Sequence, residues 1–195
     1  MEELEKLYSS DSLYGSLTYG SPYISKGLKC AVHMSQFGGI KGNVLCVGSG
    51  NGYEAVWFVK NGYDTTVVEM YHPDVKILKG KQIKAYAQDL PFGDNEFDLY
   101  FCCEMMEHVP IETTVPILKE AKRVSKEVFF SIADRDDPPY HSHINIHGLT
   151  FWYSLFKNLK FDIISAQAAG GLPFITDRRV FMATWDDGVI IRARC

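Results

Sequence analysis

One glycine-rich turn and two carboxylates constrain this chain more than anything else in it. Gly48-Ser49-Gly50-Asn51-Gly52 follows the apolar run Val44–Val47, Glu69 comes 21 residues after Gly48, and Asp89 comes 20 after Glu69. Each interval is the length of one strand–helix unit of a parallel sheet, whose successive strand ends open on a single edge. The spacing reads as a nucleoside-binding ruler.

The segments around the ruler alternate accordingly. Val44–Val47 reads as a buried strand, Tyr53–Lys60 as a helix stopped by Asn61-Gly62, and Thr65–Val68 as a β-branched second strand. Ile83–Ala87 is a weaker third strand, Phe97–Cys102 a fourth and Val128–Ile132 a fifth. Glu112–Val124 is a helix with Val115, Leu118 and Ala121 on one face. Further on, Phe151, Trp152, Leu155, Phe156 and Leu159 mark the apolar side of another helix, followed by strands near Phe161–Ser165 and Val180–Trp185. This order predicts an α/β fold: a Rossmann-like, doubly wound, mostly parallel seven-stranded sheet. No helix separates the last two strands, so one of them is expected to be antiparallel near the sheet edge.

A single domain over 1–195 is expected: a helical appendage or lid in 1–40, a cofactor-binding core in 43–133, and a substrate-side loop, helix and last strands in 134–195. In the appendage, Tyr14, Tyr19 and Tyr23 are lid candidates. The formal charge of -4 argues against a protein that grips nucleic acid mainly through phosphates. Cys30, Cys46, Cys102, Cys103 and Cys195 are odd in number and make no C-x-x-C pair, so neither a disulfide framework nor a zinc knuckle is indicated. A cytoplasmic protein with no membrane segment and no signal peptide is expected; the oligomeric state is not legible.

After a buried strand the chain must turn sharply into a helix and let a ligand approach its backbone, which glycine alone does without steric cost. A dinucleotide fingerprint would want glycine where Tyr53 stands, and the P-loop lysine and hydroxyl have no counterpart after Gly52. Glu69, at the second strand end, suits a ribose diol; a solvated loop charge is the plain alternative. Asp89 lies in Ala87-Gln-Asp-Leu-Pro-Phe92, where it suits an adenine amino group with Leu90 on the ring face, or a simple turn before Pro91.

With Asn95-Glu-Phe-Asp-Leu-Tyr-Phe-Cys-Cys-Glu-Met-Met-Glu-His108 following, the chain from about Val44 to Ile132 resembles a class I S-adenosylmethionine-dependent methyltransferase of the small-molecule type. The resemblance implies S-adenosylmethionine as cofactor and S-adenosylhomocysteine as product. It places the cofactor on Gly48, Ser49, Gly50, Gly52, Glu69, Met70, Asp89, Leu90, Cys103 and Glu104. Two departures stand out: Cys46 replaces the acid that family members carry two residues before the first glycine, and Ser125-Lys-Glu127 replaces a Gly-Gly turn.

For the chemistry, Glu104, Glu107 and His108 would share one face of a helical turn over Glu104–Val109, and His108 is a general-base candidate. His141, His143 and His147 follow the fifth strand, and His143-Ile-Asn145 resembles a segment of small-molecule methyltransferases, which makes His143 the second catalytic candidate. Arg135, Arg178 and Arg179 are candidates for a substrate phosphate or carboxylate. The expected function is methyl transfer to an oxygen or nitrogen of a small molecule, with no metal and no nucleic acid. Three alternatives stay open. Glu104, Glu107, His108 and His141 or His143 resemble the ligands of metal-dependent O-methyltransferases, acting on a ribose of RNA or a catechol-like acceptor. A degenerate cofactor-binding module and an NAD-dependent oxidoreductase are the others.

Overall fold

The computed structural model describes residues 39–50, 52–71, 81–136, 138, 141–168, 175–176, 179–180 and 188–195, together with 27, 30, 31, 34 and 35. Tyr14, Tyr19, Tyr23 and Arg178 lie outside the described residues.

In chain order the elements are β1 (Asn43–Val47), α1 (Tyr53–Lys60), β2 (Asp64–Val68), β3 (Gln82–Ile83), β4 (Leu99–Cys103), a 3₁₀ turn (Met106–His108), α2 (Ile111–Val124), β5 (Glu127–Ile132), α3 (Leu149–Asn158), β6 (Asp162–Ala168), the short pair β7 (Ile175–Thr176) and β8 (Arg179–Val180), and β9 (Val189–Arg194). Seven of the strands form one sheet in the order β3-β2-β1-β4-β5-β9-β6. β1 to β5 run parallel, and β9 pairs antiparallel with both β5 and β6.

Period-two alternation sends neighbouring side chains to opposite faces, and both faces are covered. Leu45, Val47, Tyr100 and Cys102 join Leu118, Ala121, Trp152 and Phe156 on one side. Val44, Cys46, Leu99 and Phe101 join Ala55, Phe58, Cys30, Ala31 and Met34 on the other. Such burial of apolar surface contributes about 25 cal/mol per Å², which is why the central strands read as near-continuous apolar runs.

Several details correct the sequence expectations. The third strand is only Gln82–Ile83, because Tyr86 accepts a turn bond from Asp89 N at 3.0 Å and the backbone leaves the sheet there. The strand expected over Val180–Trp185 is described only as Arg179–Val180, which pairs with Ile175–Thr176 outside the main sheet. The strand that completes the sheet is instead β9, while β6, the strand expected near Phe161–Ser165, lies antiparallel at the edge as anticipated for one of the last two strands. On α2 the buried stripe is Thr114, Ile117, Leu118, Ala121 and Val124, with Val115 half-buried. Phe151 is exposed and stacks on His147, while Trp152 and Phe156 carry the burial of α3.

Among the described residues no helix is long and apolar enough to cross a membrane.

Candidate active site

Because β1, β2, β4 and β5 are parallel, the segments that follow them meet at one sheet edge. Gly48, Gly50 and Gly52 hold φ values of 68°, 49° and 69°, the left-handed region that a side chain disfavours. A Cβ on Gly48 would lie 2.4 Å from Met105 Cγ, so the turns after β1 and β4 interlock there. Around Gly50 nothing lies within 4 Å of that position, and the turn is open.

Glu69 is buried, with 6% of its surface exposed. Oε2 accepts the Gly50 N–H at 2.8 Å and Oε1 accepts the Tyr71 N–H at 2.9 Å. Each carboxylate oxygen has a second acceptor position, so a vicinal diol can donate to both while the backbone bonds persist. Beside it Ser49 is buried, and its Oγ has no hydrogen-bond partner among the described residues. An anchored carboxylate, an open glycine turn and an orphaned buried hydroxyl fit a ribose-bearing ligand.

Asp89 is exposed and Leu90 buried. Their loop is clamped from α2: Glu120 Oε2 accepts the Leu90 N–H at 2.9 Å, while Arg123 donates to Leu90 O at 3.1 Å and Phe92 O at 2.7 Å. Glu120 and Arg123 are themselves paired at 2.7 Å, and the guanidinium holds the Glu120 carboxyl below its ordinary range. Sequence reading passed over this pair, because two charges near a helix end look like solvated surface. Its i, i+3 spacing was the available signal.

Met70 is half-buried after Glu69. Cys103, half-buried at the end of β4, has its thiol pushed well up by burial. Glu104 does not share a helical face with Glu107 and His108. Its φ of 55° takes it out of the turn, which begins at Met106, and its Oε1 accepts the Ser131 hydroxyl at 2.8 Å.

Glu107 is fully buried, and its backbone carbonyl accepts the N–H groups of Ile144 at 2.8 Å and Asn145 at 3.0 Å. These bonds carry His143 onto the 3₁₀ turn, where its ring meets that of His108 edge to face at 4.7 Å. His108 Nδ1 lies 3.2 Å from Ser142 O, and His143 Nδ1 2.5 Å from Arg135 O. A carbonyl only accepts, so each Nδ1 is assigned the proton and each Nε2 a lone pair. Glu107, His108 and His143 each offer one ligand atom, all within 4.8 Å of one another. His141 is elsewhere: it is exposed and pairs with Asp136 at 2.5 Å. His147 stacks on Phe151 at 3.8 Å.

A doubly wound sheet with an open glycine turn and an anchored acid after its second strand defines a nucleoside-binding α/β protein. Residues 45–128 match the family model described as a methyltransferase domain; no curated protein matches the chain. Among solved structures, the PH0226 protein of Pyrococcus horikoshii OT3 is similar at 16% identity and a TM-score of 0.66, over 100% of this chain and 99% of that one. The 1,6-didemethyltoxoflavin-N1-methyltransferase of Burkholderia thailandensis, solved with its substrate and S-adenosylhomocysteine, matches at 16% identity and a TM-score of 0.64, over 86% of this chain and 77% of that one. Phosphoethanolamine N-methyltransferase 2 of Haemonchus contortus, in complex with S-adenosyl-L-methionine, matches at 15% and 0.59, over 72% of this chain and 38% of that one. At such identities the structural likeness speaks for the fold, and the family match speaks for the class. Residues 45–128 thus carry the methyltransferase-domain match, and the fold around them is shared with S-adenosylmethionine-dependent methyltransferases.

Proposed function

We propose that the enzyme methylates an oxygen or nitrogen of a small molecule, with His108 or His143 as the base that receives the acceptor's proton. The observation that carries this reading is the histidine pair, whose rings meet edge to face at 4.7 Å and each offer a nitrogen within 4.8 Å of a carboxylate oxygen of the buried Glu107, at the edge where the cofactor turn opens. A small acceptor accords with the acidic net charge of -4, and both methyltransferase neighbours are named for small-molecule substrates.

Bound S-adenosylmethionine supplies an electrophilic methyl on a sulfonium, which leaves as a neutral thioether. The residues do the rest. Glu69 would orient the ribose through its two oxygens, Asp89 and Leu90 would hold the adenine, and the glycine turn would let the backbone come close. The acceptor's proton passes to a histidine Nε2, and the Glu107 carboxylate offsets the resulting imidazolium charge. Alignment of an enclosed acceptor accounts for most of the rate, since orientation effects reach about 7–11 kcal/mol.

The test is release of S-adenosylhomocysteine across a panel of phenols, catechols, amines and nitrogen heterocycles. His108→Ala or His143→Ala should lower turnover roughly 100-fold or more, with S-adenosylhomocysteine affinity nearly unchanged. No turnover on any class would instead favour the cofactor-binding module.

A second reading, metal assistance, has one specific observation behind it: the Glu107, His108 and His143 cluster. Nδ1 bonds to carbonyls are the arrangement that readies Nε2 as a ligand. A divalent cation held there would acidify an acceptor hydroxyl. Cobalt(II) absorption bands that vanish in Glu107→Gln would support this reading, and activity unchanged after exhaustive chelation would end it.

A further inference from the structure

Cys46 is the penultimate residue of β1, two residues before Gly48, and it is fully buried. Burial pushes its thiol well up, with the charge of Glu54 adding to the rise. This strand end therefore brings no negative charge to the cofactor's cationic amino-acid portion. A neighbouring element does.

We propose that Glu54, in the first turn of α1, supplies the carboxylate that holds the α-ammonium group of the cofactor's methionine moiety. The assignment rests on the cofactor reading of the glycine turn and extends it to a residue outside the turn.

The geometry places Glu54 at the junction. Its Oε2 lies 3.4 Å from where a Cβ on Gly27 would stand, and Cys103 Cβ lies 4.0 Å from that same point. The carboxylate thus lies beside the helical segment at Gly27, which the end of β4 also approaches. On the adjoining turn is the orphaned Ser49 hydroxyl, in a residue only 8% exposed, a second group awaiting a polar ligand. Among the described residues the titratable groups that face Glu54 are Glu69 after β2 and the thiols of Cys46, Cys102 and Cys103. None is a cation, and among the described residues Glu54 has no ion-pair partner.

Removal from water is the main cause that raises the Glu54 carboxyl to about 7, and the charge of Glu69 adds to it. Its own N–H pulls the other way. Two carboxylates facing one turn, with no counter-ion among the described residues, form a site that an ammonium-bearing ligand would complement.

The test compares S-adenosylhomocysteine with 5′-methylthioadenosine, which shares the adenosine and the sulfur but lacks the amino acid. By calorimetry Glu54→Gln should weaken the first about 10- to 100-fold, the worth of a charge-assisted bond, and change the second less than about 3-fold. Equal loss for both ligands, or none for the first, overturns the assignment. The unaltered protein provides an independent readout. At pH 7, a carboxyl half-protonated when free should release about half a proton when it meets the ammonium, and 5′-methylthioadenosine should release none. Identical proton release for the two ligands overturns the assignment as well. If the unaltered protein binds neither ligand, the cofactor reading falls and takes this one with it. Selective loss of the first ligand supports both.

Discussion

Gly50 donates its backbone N–H to Glu69 Oε2 over 2.8 Å, so the acid after β2 is bonded to the turn after β1 before any ligand arrives. The two parts of the proposed ribose site are pre-assembled. The bond also limits what a substitution at Glu69 can be taken to mean, because it removes a structural tie as well as an acceptor.

Glu69→Ala should lower S-adenosylhomocysteine affinity on the order of 100-fold, as expected when two hydrogen bonds to a charged acceptor are lost. Glu69→Gln keeps one acceptor oxygen and should fall between Ala and the unaltered protein. Calorimetry on both variants, with urea midpoints as a control for the Gly50 tie, separates the two roles.

Gly48 and Gly50 should respond differently to alanine. At Gly48 the new Cβ meets Met105 Cγ at 2.4 Å, so Gly48→Ala should depress the melting temperature markedly. At Gly50 the space is open, and only the left-handed backbone is penalised, by about 1–2 kcal/mol. Gly50→Ala should fold and bind the cofactor poorly; thermal scans with and without S-adenosylhomocysteine will show it.

Arg123 holds the adenine loop through two carbonyls while pairing with Glu120 and Asp94. Arg123→Lys keeps the charge but cannot reproduce the planar fork. We expect roughly 5- to 20-fold weaker binding of S-adenosylhomocysteine, the worth of one or two hydrogen bonds, and a similar loss for 5′-methylthioadenosine, which carries the same adenine. Selective loss of the first ligand would contradict a role at the adenine end.

Without ligand, Glu54 should make stability fall as pH rises. Its carboxyl is raised to about 7 from 4.5, so between those values the folded state binds more protons than the unfolded one. The favourable contribution is complete below about 4.5 and gone above about 7, an effect on the order of 3 kcal/mol at most. Glu54→Gln should flatten the slope and gain stability at pH 8. Urea unfolding at pH 5 and pH 8 measures both, and a slope unchanged in the variant would assign it to another group.

Local patterns carried much of the fold. The apolar runs of β1, β2, β4 and β5 are buried on both faces, so their sequences show the sheet directly, and α1 spans Tyr53–Lys60 as its periodicity and the Asn61-Gly62 stop predict. β9 escaped notice because Val189-Ile190-Ile191 gives way to Arg192-Ala193-Arg194, and its place between β5 and β6 is set by pairing across some sixty residues of chain. The site was legible where a motif is contiguous, as in the glycine turn. It was not where backbone geometry decides: the φ of 55° at Glu104 cannot be seen in its neighbours. Nor can the approach of Glu54 to the end of β4, since an acid in a first helical turn has an ordinary reason to be there in the helix dipole.

The order β3-β2-β1-β4-β5 places Glu69, Asp89 and Leu90, the residues proposed for ribose and adenine, on one side of the β1–β4 seam and the histidine pair on the other. Ile144 and Asn145 fasten the histidine loop to the turn after β4 rather than to the glycine turn. Acceptor preference can therefore drift through changes in 134–148 while the grip on the nucleoside stays intact, an arrangement that lets one scaffold be retuned to new substrates a loop at a time.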